Sequence, residues 1–86
     1  MEYIITFTNT NFTMKAEKTL LDQRIEVTML PLPSQLSAGC GLCLRIKPDE
    51  VQQVMTLLHE AQVGEIGLYS RTMKDGRFAY QEIESI

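Results

Sequence analysis

One stretch limits what this chain can fold into more than any other: residues 30–45, LPLPSQLSAGCGLCLR. It holds two of the three prolines, two of the five glycines and both cysteines. Pro31 and Pro33 fix φ and lack amide donors, so no central strand can run through them. Gly39 and Gly41 flank Cys40, which permits unusual backbone angles and leaves the thiol uncrowded. The break cuts the chain in two, and the hydrophobic periodicity on either side says what the halves are.

Tyr3 to Thr8 reads as a strand, with Tyr3, Ile5 and Phe7 alternating with Ile4, Thr6 and Thr8. Thr8-Asn9-Thr10-Asn11 favours a turn and a helix N-cap. A helix is predicted from about Asn11 to Gln23, with Ala16, Leu20 and Leu21 as its apolar stripe and Phe12 or Thr13 at its start. Glu26 to Leu30 follows as a second strand. After the break, Leu42 to Ile46 is a third, with Leu42, Leu44 and Ile46 on one face and Cys43 and Arg45 on the other. Pro48 suits the first position of a helix, and Asp49 and Glu50 suit its positive end. Val51, Val54, Met55, Leu58 and Ala61 give that second helix its spacing, and Gln62-Val63-Gly64 closes it. Glu65 to Arg71 is a fourth strand. Lys74-Asp75-Gly76 signals a turn into a fifth, Arg77 to Ile83.

The order β-α-β-β-α-β predicts an α+β, ferredoxin-like sandwich: an antiparallel sheet, two helices on one face, and a C-terminal hairpin strand. Residues 1–86 read as a single domain, because 86 residues are too few for two. No repeat, low-complexity tract or linker interrupts them.

Composition narrows the function classes. A net charge of −3 with no basic patch argues against nucleic acid. No apolar run approaches the ~20 residues of a membrane span, so no membrane role is expected. Met1-Glu2-Tyr3 leads directly into a strand without a basic leader, and two cysteines three residues apart make no disulfide framework. A reduced, cytoplasmic protein is expected.

The predicted topology puts the loop after the second strand at the same end as the first helix's start. Cys40 is therefore expected near Thr10 and Asn11, beside amides of a kind that stabilise anions such as a thiolate or persulfide. Two readings stand for Cys40: a reactive thiol, or a small buried side chain in a turn. Cys40-Gly41-Leu42-Cys43 matches the C-x-x-C spacing of a dithiol. Yet Cys43 lies inside a strand and is read as a packed residue, a secondary thiol at most. No metal is called for: two thiols need further ligands, and the only histidine, His59, sits far along the chain and faces solvent. Nor does any residue pattern call for a cofactor. Glu17 lies beside the helix stripe, as a solvated carboxylate or as an acceptor ordering the cysteine loop. Arg45 is expected on the open sheet face with Thr6, Thr28 and Tyr69, exposed or holding an anionic partner. If the last strand leaves that face bare, a homodimer could cover it.

Four segments together resemble a known bacterial family. They are Ala16-Glu17-Lys18-x-Leu20, Leu30-Pro31-Leu32-Pro33, Ser37-Ala38-Gly39-Cys40-Gly41-Leu42-x-Leu44-Arg45 and Ile66-Gly67-Leu68-Tyr69. This pattern, spanning roughly Tyr3 to Tyr69, is similar to that of the selenium/sulfur carrier-like family. The resemblance implies that Cys40 carries sulfur or selenium, as a persulfide or selenosulfide. Partners would be donor and acceptor proteins, such as a cysteine desulfurase on the donor side. Cys43 stands where that family has small apolar residues. On this reading Gly39, Gly41, Thr10, Asn11, Glu17 and Arg45 would surround or order the carrier loop, and the protein is a carrier more than a stand-alone enzyme. The competing reading is a non-catalytic interaction or ligand-sensing module with a structural cysteine. A third is a Cys40–Cys43 thiol–disulfide switch.

Overall fold

The computed structural model describes residues 1–84. Among these residues five strands and two helices follow the predicted order: β1 (Glu2–Phe7), α1 (Thr10–Asp22), β2 (Val27–Pro31), β3 (Leu42–Ile46), α2 (Val51–Ala61), β4 (Ile66–Lys74) and β5 (Arg77–Glu82). A single 3₁₀ turn, Pro48–Glu50, leads into α2 with the proline at its start. The strands form one sheet in the order β2-β3-β1-β4-β5, and every neighbouring pair is antiparallel. This is the ferredoxin-like arrangement with one added strand at the β4 edge.

Alternation along the strands divides the side chains between two faces. Ile5 and Phe7 of β1, Leu44 and Ile46 of β3 and Leu68 of β4 point toward the helices. They pack against Ala16 and Leu20 of α1 and Val51, Val54 and Leu58 of α2. Thr13 completes the buried line of α1, whereas Leu21, placed on the stripe from sequence, is 52% exposed. Leu21 sits 100° around from Leu20, on the rim of the apolar face.

The other sheet face departs from expectation. It is not open. Ile4 and Cys43 are fully buried there, and Thr6 and Arg71 nearly so. Long side chains of the same face form the cover. Arg71 donates through Nε to Glu2 Oε1 at 3.1 Å and also through its NH2 group, and it lies 4.0 Å from the centre of the Phe78 ring. Arg45 reaches Glu2 Oε2 at 3.4 Å and Thr28 Oγ1 at 3.3 Å. Burying Ile4 and Cys43 therefore requires no second copy of the chain.

The β4–β5 hairpin turns at Asp75-Gly76. Both residues have positive φ, 52° and 78°, as a two-residue type I′ turn demands. β4 runs on to Lys74, three residues past the predicted end, because Arg71, Thr72, Met73 and Lys74 all pair with β5.

Candidate functional site

The site is built where β1 hands over to α1. Asn9 caps the helix: its Oδ1 accepts the Phe12 amide at 2.8 Å, and its backbone oxygen accepts the Thr13 amide at 3.2 Å. The Phe12 ring rests on Gly64, where an added Cβ would come within 2.7 Å of it, and this contact seats the start of α1 against the end of α2.

The loop of residues 32–41 is the tip of the β2–β3 hairpin, since Pro31 pairs with Leu42. Leu32 N–H donates to Gly41 O at 2.9 Å and closes its base, and Leu36 N–H donates to Pro33 O at 3.0 Å and folds its middle. Gly39 then lies directly against the backbone of Thr8, leaving no room for a Cβ. That contact pulls the loop across the end of β1 and sets Cys40 beside α1.

Cys40 is half-buried and free. Its Sγ lies 3.3 Å from Thr13 Oγ1, 3.5 Å from Leu42 O and 3.9 Å from Phe7 O. Thr13 is fully buried, and its hydroxyl also reaches Asn9 O at 3.1 Å. Among the described residues the thiol's polar neighbours are thus one hydroxyl and two carbonyls.

The expected juxtaposition of Cys40 with the first turn of α1 is present, but it is made by a different group. Thr10 and Asn11 occupy that turn and are exposed, and the Phe12 amide is already taken by Asn9. Thr13, one turn closer to the sulfur than Glu17, makes the contact. The signal in sequence was a threonine on the buried stripe at the end nearest the cysteine loop.

Glu17 is half-buried and makes no hydrogen bond or ion pair among the described residues. Arg45 is on the sheet face away from α1, bound to Glu2 and Thr28, and is not brought to Cys40. The glycines act differently from each other and from expectation. Neither Gly39 nor Gly41 has a positive φ. Gly39 is needed for close approach, whereas a Cβ on Gly41 would meet nothing.

Cys43 is buried on the far face, opposite Thr6, with its Sγ 3.8 Å from Pro31 O. Burial pushes its thiol pKa up, so it stays protonated at neutral pH. Strand alternation has separated the C-x-x-C pair onto two faces, and both cysteines are free.

Two grooves complete the surroundings. One, of about 220 Å³, runs between the loop residues Ser37 and Gly39, the strand residues Thr6 and Tyr69, and Glu65 just before β4. Gly67 keeps it open, because a Cβ there would sit 2.5 Å from Thr6 Oγ1. The other, of about 290 Å³, lies at the end of α2 and is lined by Met55, Leu58, Val63 and Ile66, with His59 at its rim. Among the described residues no three His, Cys, Asp or Glu side chains cluster as a metal site would require, and no helix is long and apolar enough to cross a membrane.

The chain matches no curated protein and no solved structure. A family model does match, over residues 2–70, and that span takes in β1 to most of β4 and the whole of the Cys40 loop. With that match covering most of its length, the chain belongs to the family described as Putative Se/S carrier protein-like.

Proposed function

We propose that this protein carries sulfur or selenium on Cys40, as a persulfide or selenosulfide, and passes it to a partner enzyme. The observation that supports this most is a single half-buried thiol, held at the junction of loop and helix start, within the span that matches the carrier family. A carrier needs a thiol that a partner can reach and solvent reaches poorly. Cys40 meets that need and Cys43, fully buried, does not.

Loading is a sulfur transfer without net oxidation. The Cys40 thiolate attacks the outer sulfur of a donor persulfide. A new S–S bond forms on Cys40, the donor's S–S bond breaks, and the donor leaves as a thiolate. The transferred atom keeps its terminal proton or charge. Unloading repeats the step with an acceptor nucleophile. Thr10, Asn11 and Gly41, all exposed, form the rim a donor would meet, and Gly39 holds the loop in place. Glu17 and Arg45 lie further from the sulfur and serve as docking surface. Donor and acceptor proteins, with a cysteine desulfurase as the donor class, supply the second reactive group of each step. A reducing cytoplasm keeps both cysteines as thiols.

The test is incubation with a cysteine desulfurase and free cysteine, followed by intact-mass spectrometry. The protein gains one sulfur atom, Cys43→Ser gains the same, and Cys40→Ser gains none. Equal gain by Cys40→Ser and the parent rules the carrier reading out.

A further inference from the structure

We propose that Thr13 is the positioning residue for Cys40: its hydroxyl accepts a hydrogen bond from the thiol, and turns to donate one when the sulfur is an anion. The inference deepens the carrier reading, because it assigns the group that holds the sulfur in its reactive form.

Threonine is not the best helix former for this position. It lies on the fully buried line of α1, where Ala or Leu would favour the helix more and fill space without a polar atom. A buried hydroxyl must be satisfied. Thr13 Oγ1 has two neighbours in reach, Asn9 O at 3.1 Å and Cys40 Sγ at 3.3 Å. A hydroxyl carries one proton, so it cannot donate to both. With Cys40 as a thiol, Thr13 donates to Asn9 O, and its oxygen, at 3.3 Å, is nearer to Sγ than the other two acceptors, Leu42 O and Phe7 O.

When the sulfur loses its proton the other neighbours cannot compensate. Leu42 O and Phe7 O only accept. The Phe12 amide is committed to Asn9 Oδ1. Among the described residues, Thr13 is then the one side chain bonded to the sulfur that can donate. Rotation about a single C–O bond redirects its proton. Asn9 O is not orphaned by the change, because it keeps the Thr13 amide at 3.2 Å. The switch therefore costs one hydrogen bond to a neutral carbonyl and gains one to a charged sulfur, the stronger kind.

The hydroxyl, not the shape of the side chain, is what matters on this account. Thr13→Val keeps the shape and Thr13→Ser keeps the hydroxyl, so the two variants separate packing from donation. The readout is the rate at which iodoacetamide alkylates Cys40 at neutral pH in the folded protein, located by site-resolved mass spectrometry. Thr13→Val is expected to slow alkylation about tenfold, the size of one charge-assisted hydrogen bond. Thr13→Ser is expected to stay within about twofold of the parent, since the donor remains. If Thr13→Val fails to fold, Thr13→Ala serves as the second hydroxyl-free variant with the same expected slowing. A hydroxyl-free variant that reacts as fast as the parent, or Thr13→Ser as slow as Thr13→Val, overturns the assignment. Sulfur uptake from a desulfurase is read in parallel on the parent. If the parent and variants alkylate in the expected order yet the parent takes up no sulfur, the carrier reading is contradicted and the role of Thr13 is supported.

Discussion

Gly39 lies against the carbonyl of Thr8 so closely that no side chain fits between them. This contact joins the hairpin loop to the end of β1. Everything that follows at the site depends on it, since Cys40 is the next residue and its sulfur must reach Thr13.

Adding one methyl at position 39 should therefore be costly, and at position 41 it should not. In Gly39→Ala the new Cβ meets backbone, which cannot swing away, so the loop must lift. Overpacking of this kind costs about 1–3 kcal/mol. Gly41→Ala meets open space at a φ that is not positive, and should change stability by less than about 1 kcal/mol. Urea denaturation of both variants gives the comparison. Equal losses would mean that the Thr8 contact is not what holds the loop.

Acid should act through Glu2. The hydrogen bond from Arg71, opposed in part by burial and aided by the charges of Arg71 and Arg45, holds the Glu2 carboxyl below the ordinary carboxylate range. A group whose pKa is depressed by folding contributes stability above its unfolded pKa and loses it as pH falls through the folded one. The loss should thus begin near the usual Glu value of about 4.3 and continue below it. Glu2 is about one-third exposed, so solvent screening keeps the contribution small, on the order of 1 kcal/mol. Glu2→Gln should lose that amount at neutral pH and flatten the acid limb of a stability–pH profile. An unchanged acid limb would contradict a role for the Glu2–Arg71 pair in fastening β4 to β1.

The two thiols should differ sharply in reactivity. Cys43 is buried on the far face and kept protonated, whereas Cys40 is half-exposed. A thiol reagent such as Ellman's should titrate one cysteine in the native protein and the second only on adding denaturant. Cys40→Ser should abolish the fast phase and Cys43→Ser should leave it. Two fast thiols in the folded parent would mean that Cys43 is reachable and would restore the dithiol switch as a reading.

Much of this was legible in the sequence. Period-two alternation placed Leu44 and Cys43 on opposite faces of one strand. The order of elements then put the Cys40 loop beside the start of α1, as the structure shows. Two things were not legible, and both depend on side-chain paths. Thr13 stands at the start of the apolar stripe in sequence, but its contact with Cys40 exists only once the loop is folded over it. The partial closure of the second face depends on Arg71 reaching both Glu2 and Phe78, which the register of β1, β4 and β5 brings beside it. Alternation said that Arg45 would face away from the helices. It could not say that neighbouring side chains would close over that face.

The most direct test of the central claim is where the sulfur goes. Cys40 and Cys43 lie on one tryptic peptide, between Arg24 and Arg45, and fragment ions that break between them assign an added atom to one or the other. After loading from a cysteine desulfurase, the added sulfur should sit on Cys40 alone and disappear when an acceptor thiol is supplied. Sulfur on Cys43, or a peptide that never gains mass, would contradict the account.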